Sequence, residues 1–196
     1  ALQVGARAVT AGLKVEVTDT QGKPDTETVT LTVTAPANNA PSASAGADES
    51  VAAAATVSLD AGASADTDPG DSIGSYAWTQ SSGTAVTLSS TSAAQPTFTA
   101  PSLNVGDSAL TLVLQVEVTD TQGATDTDTV TLTVNAPANN APSASAGADQ
   151  SVAAAASVTL DASASADTDP GDSIASYAWT QSSGTAVTLS STSAAQ

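Results

Sequence analysis

From Leu110 to Val118 every second residue is apolar: Leu110, Leu112, Leu114, Val116 and Val118 alternate with mostly polar neighbours. A period of two is the mark of a strand with one buried face. Val130, Leu132 and Val134 repeat it, with Thr129, Thr131 and Thr133 placed to face outward, where β-branched polar residues sit well. Asp120-Thr-Gln-Gly123 between the two runs is a turn signal, so they are predicted to form a hairpin. Upstream, Val57 and Leu59 predict a short strand, Tyr76 and Trp78 share one face of another, and Val86 with Leu88 and then Phe98 mark two more. With the segment around Ser42–Gly46 this makes about seven short strands at intervals of roughly 8–15 residues, the pattern of a two-sheet β-sandwich. Ala52–Ala55 has helix propensity, but it is too short for a helix and lies where the first strand must turn into the second, so it is expected to be loop.

The pattern recurs with a period of 101 residues. Pro36–Gln95 aligns with Pro137–Gln196 and differs at five positions: Glu49/Gln150, Thr56/Ser157, Ser58/Thr159, Gly62/Ser163 and Gly74/Ala175. Residues 1–35 align with 102–136 at the same offset, with 23 of 35 identical. Self-similarity over that length predicts tandem modules of whole-domain size. The phase divides the chain into a C-terminal part of one module (1–35), a complete module (36–136) and an N-terminal part of the next (137–196). The expectation is a window on a longer array.

Net charge is −17, and Arg7, Lys14 and Lys23 are the only basic residues. Such a surface repels nucleic acid and anionic lipid; it suits divalent cations or a salty medium. There is no 18-residue apolar run, which argues against membrane insertion of this segment, and no Cys to staple the fold. Leu, Ile, Val and Phe total 33 of 196 residues, a low supply of core, so modest or ligand-dependent stability is expected. With neither His nor Cys there is no imidazole base, thiol nucleophile or usual Zn²⁺ site, and near-identical active sites in successive modules would be an odd design. The chain is read as no enzyme.

Asn39-Ala-Pro, Ala45-Gly-Ala-Asp48, Val57-Ser-Leu-Asp60, Asp66-Thr-Asp-Pro-Gly-Asp71, Ser75-Tyr-Ala-Trp-Thr-Gln-Ser-Ser-Gly83, Phe98-Thr-Ala-Pro101 and Val118-Thr-Asp120 follow in this order. The series resembles bacterial PKD-type (polycystic-kidney-disease) repeats and their relatives of the receptor-for-egg-jelly group, over a whole period. The resemblance implies an immunoglobulin-like all-β sandwich without disulfide, used in secreted or surface proteins as a spacer, adhesive or accessory module. Two departures stand out: an Ala run where the family often has Gly, and Asp-Thr-Asp-Pro-Gly-Asp where its acidic loop often reads Asp-Pro-Asp-Gly.

In such a topology the loop between the second and third strands, the last hairpin turn and the incoming linker lie at one end of the sandwich. Asp66, Asp68 and Asp71 fall in that loop, Asp120, Asp126 and Asp128 around the turn, and Asn38 and Asn39 in the linker; Asp167, Asp169 and Asp172 are the loop's counterparts in the next module. Ca²⁺ takes six to eight oxygen ligands, and the Asp66-x-Asp68 spacing lets two carboxylates converge. Asn-Asn-Ala-Pro at a module junction is also similar to the cadherin linker, a likeness that implies a joint stiffened by calcium. Against this, Asp favours turns and solubilises surfaces without binding anything. Trp78 and Trp179 could stack on a sugar if exposed, but their strand pattern places them in the core.

The function expected from all this is mechanical: a structural tandem-repeat segment of a long extracellular bacterial surface protein, an adhesin stalk or filament shaft, calcium-stiffened. Its partners would be neighbouring repeats or subunits. Residues 137–196 bring the early strands of a module and 1–35 the last hairpin, so either the chain runs on or subunits complete one another. The alternative is a glycan-binding accessory module of a secreted polysaccharide-degrading enzyme.

Overall fold

The computed structural model describes residues 2–196, and its regular structure is entirely β. The strands are β1 (Val9–Thr18), β2 (Pro24–Val33), β3 (Glu49–Ala52), β4 (Thr56–Ser58), β5 (Ile73–Ser82), β6 (Thr97–Thr99), β7 (Leu110–Asp120) and β8 (Thr125–Asn135). Among the described residues no helix is long and apolar enough to cross a membrane. By compactness the chain divides into two units, one of Ala1–Ser50, Thr56–Thr99 and Thr111–Thr133, the other of Val51–Ala55, Ala100–Leu110 and Val134–Gln196.

β3, β8, β7 and β5 form a four-stranded sheet in that order, while β4 and β6 pair separately. The alternation read in the sequence is what builds the core. Leu112, Leu114, Val116 and Val118 on β7, with Val130, Leu132 and Val134 on β8, turn one face inward and are almost wholly buried. Val57, Leu59, Phe98 and Ala100 are buried as well, together with Trp78 on β5. Two layers of sheet hiding one apolar interior make the expected immunoglobulin-like β-sandwich.

Trp78 lies opposite Val116 in the antiparallel β5–β7 pairing, and its indole Nε1 donates to Ala93 O at 3.1 Å. Tyr76, opposite Val118, is only half-buried, a correction to the expectation that both aromatics fill the core. The strand expected at Val86–Leu88 does not form. There the Gln80 side chain replaces a strand partner: its Nε2 donates to Ser82 O and Thr84 O, and its Oε1 accepts from Val86 N. Ser42 makes a single bridge to Ala65 rather than a strand. The Ala run ends β3 and turns, with Ala54 at φ 59°, a left-handed conformation that Gly adopts more easily.

β1 and β2 form an isolated antiparallel hairpin, Leu13 opposite Val29 and Val15 opposite Glu27. It is the counterpart of β7–β8, yet its apolar side chains, Leu13, Val15, Val17, Val29, Leu31 and Val33, are exposed. The opposite deficit appears in residues 137–196. Their sequence nearly matches 36–95, but no strand forms among them; only the Ser143–Ala166 bridge remains. β3 and β5 are held by β8 and β7, and β4 by β6. Among the described residues no strand pairs with the segment 137–196, and it forms no ladder.

Candidate functional site

The acidic loop after β4 and the turn between β7 and β8 meet. Asp66, Asp71 and Asp120 each offer one carboxylate oxygen within a span of 4.8 Å, the one group of this kind among the described residues. The local sequence explains how each is held. Asp66 Oδ1 accepts from Asp68 N at 2.6 Å, an Asx turn that folds the loop back on itself. Asp71 Oδ1 accepts from Ser72 N at 2.8 Å, from Thr121 N at 3.2 Å and from the Thr121 hydroxyl. Asp120 ends β7: its Oδ1 accepts from Gln122 N at 2.8 Å and Ala124 N at 2.9 Å, closing the turn, and its Oδ2 accepts from Asn38 Nδ2 at 3.0 Å.

One oxygen of Asp66 and one of Asp71, the Oδ2 in each case, are buried with no hydrogen-bond partner. Buried carboxylate oxygens without donors are costly, and a hard cation is one group that satisfies them. Three carboxylates suit such an ion in chemistry; backbone oxygens or water would complete its shell. Burial pushes the Asp120 carboxyl up, but the hydrogen bonds from Asn38 and from the backbone of Ala124, Gln122 and Gly123 outweigh it and hold it below the ordinary carboxylate range. It is therefore ionised at neutral pH.

The other expected ligands make hydrogen bonds outside this group of three. Asp68 accepts from Asn39 N at 2.7 Å and Asn39 Nδ2 at 2.8 Å, fixing the incoming linker. Asp126 Oδ2 accepts from Ala43 N at 2.9 Å and Asp128 Oδ2 from Ala45 N at 2.8 Å, so these two carboxylates pin the first extended segment along β8. The Ala43 and Thr127 N–H groups hold the Asp126 carboxyl below its usual range. Asn38 serves through its amide as a donor to Asp120. In the next module Asp169 repeats the role of Asp68: Asn140 N and Nδ2 donate to it and lower its pKa. Asp167 Oδ1 accepts from Asp169 N at 2.8 Å and Asp172 Oδ1 from Ser173 N at 2.7 Å, and among the described residues they belong to no group of three converging carboxylates.

A contact that the sequence reading missed lies at the tip of the acidic loop. Val4 is buried and its N–H donates to Pro69 O at 3.3 Å. One period later Val105 N donates to Pro170 O at 3.0 Å. Gly70 and Gly171 carry the tip at φ 84° and 78°, and a Cβ at either would lie 2.5 Å from Gln3 Cδ or Asn104 Cγ respectively. The segment that precedes a hairpin thus docks on the acidic loop of the module that follows. Leu-x-Val-Gly at 2–5 and again at 103–106 was the signal for it.

A family model described as K319L-like, PKD domain matches residues 45–134 and again 146–196. Among solved structures, the solution structure of the PKD domain from the KIAA 1837 protein is 22% identical, covering 53% of this chain and 95% of that one at a TM-score of 0.43. A nucleoside hydrolase-related hypothetical protein from Saccharophagus degradans is 24% identical over 50% of this chain and 26% of its own (TM-score 0.41). The protocadherin gammaB7 EC3-6 structure is 16% identical over 84% of this chain and 44% of its own (TM-score 0.40). No curated protein sequence matches the chain.

Proposed function

The chain belongs to the K319L-like PKD domain family, and on that premise we propose that it is a non-catalytic structural segment of an extracellular surface protein, a stalk or shaft built of repeated sandwiches and stiffened by Ca²⁺ at the module ends. The observation that carries this reading is the repeated docking contact, Val4 on Pro69 and Val105 on Pro170, 101 residues apart. A contact made again with each period defines a joint, and a joint of fixed geometry turns reach into stiffness. The Asp66–Asp71 loop both presents Pro69 to that joint and supplies two of the three clustered carboxylates. A cation bound there would order the loop and the joint together. Near-identity between copies suits units that all perform the same task. The glycan-binding alternative has less to draw on, since Trp78 is buried with its indole N–H engaged.

The test is thermal unfolding of the 196-residue chain in millimolar Ca²⁺ and in chelator at matched ionic strength, beside the Asp71→Asn variant. Ligand at a hundredfold excess over Kd stabilises by about 2.7 kcal/mol, which raises Tm by roughly 10 °C or more for a module of this size. The expected outcome is such a rise for the parent chain and little for the variant. Identical curves with and without Ca²⁺ would remove calcium from the proposal.

A further inference from the structure

The four-stranded sheet ends in β3 on one side and β5 on the other, and the two edges are built differently. β3 is four residues long and begins with Glu49. Shortness and charge are ordinary defences of an edge strand against pairing with another chain. β5 has neither. It is ten residues long, and from Ile73 to Gln95 there is no charged residue and no proline, in a chain of net charge −17. A long uncharged strand that carries Tyr76 and Trp78 is, by composition, a template for a further strand.

The segment that follows β5 covers this edge. Trp78 lies opposite Val116 of β7, yet its backbone N–H donates to Thr91 O at 2.8 Å, so residues 83–93 return along the free side of β5 as a strap. Gln80 locks the start of the strap: its Nε2 donates to Ser82 O at 3.0 Å and Thr84 O at 2.8 Å, and its Oε1 accepts from Val86 N at 2.9 Å. Farther along, Ser90 Oγ accepts from Ser92 N and Ala93 N at 3.1 Å, and Ser89 N donates to Thr97 O at 2.7 Å, which ties the strap to β6. The set recurs one period later. Gln181 Nε2 donates to Ser183 O and Thr185 O, its Oε1 accepts from Val187 N, and Trp179 N donates to Thr192 O.

We propose that the strap is a guard locked by Gln80, and that its release frees the β5 edge to pair with the β5 edge of a second copy of the module. The sequence names this occupant. Ser75–Gly83 is repeated without change as Ser176–Gly184, so the strand that best matches an open β5 is another β5. Two identical strands pair antiparallel about a two-fold axis, and neither carries a charge to oppose the pairing. Modules on one chain present this strand to one another at an effective concentration of about millimolar, so an array needs every edge shut. The chemistry of the lock suits an acidic chain in a salty medium. Salt screens a charged edge, whereas an amide bonded to main-chain groups keeps its hold.

This guard goes beyond the stalk reading and needs neither the docking joint nor calcium. The experiment is analytical ultracentrifugation of the full 196-residue chain over a concentration series, comparing the parent, Gln80→Ala and Gln80→Ala/Thr79→Lys. Gln80→Ala removes the three hydrogen bonds of the lock. It is expected to tighten self-association by at least about tenfold over the parent, since pairing follows the fraction of straps that are open. Thr79 is exposed on β5, and a lysine there sets like charges against each other across the paired edges. The double variant is therefore expected to return to the parent's behaviour. A folded Gln80→Ala chain that associates no more than the parent overturns the proposal. So does association that Thr79→Lys leaves in place, because it then runs through some surface other than β5. Circular dichroism checks that each variant is folded. Should Gln80→Ala fail this check, Val86→Pro takes its place with the same outcomes, since it removes the N–H that Gln80 Oε1 accepts and leaves β5 unchanged.

Discussion

Leu114→Ala and Leu13→Ala are the same substitution in the same local sequence, Leu-x-Val-Glu-Val-Thr-Asp-Thr-Gln-Gly, on the same side of a hairpin. Only the packing differs: Leu114 is 0% exposed and Leu13 57%. At Leu114 the loss of three carbons removes about 2.4 kcal/mol of transfer free energy, and the cavity left behind raises the total into the range of about 2–5 kcal/mol. At Leu13 a surface change of this kind stays within about 0.5 kcal/mol. With a urea m-value of about 1 kcal/mol/M for one module, the Leu114 variant should lose roughly 2–5 M in midpoint and the Leu13 variant less than about 0.5 M. The assay is urea denaturation followed by circular dichroism, at a dilution where chains do not associate. Equal shifts would mean that hairpin propensity rather than burial stabilises these strands, and the account of the core given above would fail.

Two further outcomes follow from the backbone and from the carboxylates. Ala54→Gly relieves a left-handed alanine worth about 1–2 kcal/mol, against about 0.5–1 kcal/mol of added chain entropy, so Tm should rise by a few degrees; a fall would show the site unstrained. Asp126 and Asp120 have pKa values lower in the folded chain than the ordinary ~3.9 of the unfolded one, so the unfolded chain takes up protons first as pH drops. Their contribution is therefore complete above that value and is lost as pH falls through the lower folded values. Asp126→Asn should flatten the acid limb of a stability–pH curve, and an unchanged limb would remove Asp126 from the explanation.

The parts of the fold legible in the sequence are those where periodicity and burial coincide. β7 and β8 could be read because strict alternation has one structural meaning when a face is hidden. Residues 137–196 mark the limit of that reading: their pattern is that of the complete module, but strands need partners, and local sequence does not say whether a partner is at hand. Val86–Leu88 failed for a related reason, since Gln80 satisfies the backbone that a strand would have satisfied. At the acidic end, topology placed Asp66, Asp71 and Asp120 together, and their carboxylates do lie within 4.8 Å of one another. It could not separate them from Asp68, Asp126 and Asp128, because an aspartate that pins a linker N–H has the same sequence signature as one that faces its neighbours. The docking of Val4 on Pro69 was invisible for want of any pattern except its own recurrence.

The order of groove and hairpin along each module has a consequence for synthesis. Residues 36–95 leave the ribosome before 110–135, so every nascent groove waits for the next hairpin to be made. At ~5–20 residues per second the wait is on the order of seconds, comparable to the folding time of a β-sandwich. The hairpin segments 1–35 and 102–136 differ at 12 of 35 positions but share Leu13/Leu114, Val15/Val116, Val17/Val118, Val29/Val130, Leu31/Leu132 and Val33/Val134, so the apolar face by itself gives a groove little with which to tell one from the other. Succession in time supplies the discrimination: the hairpin made earlier is already engaged when a groove emerges, and the one made later is always the correct one. Refolding of a finished chain from denaturant lacks this queue, and is where exchanged pairings belong.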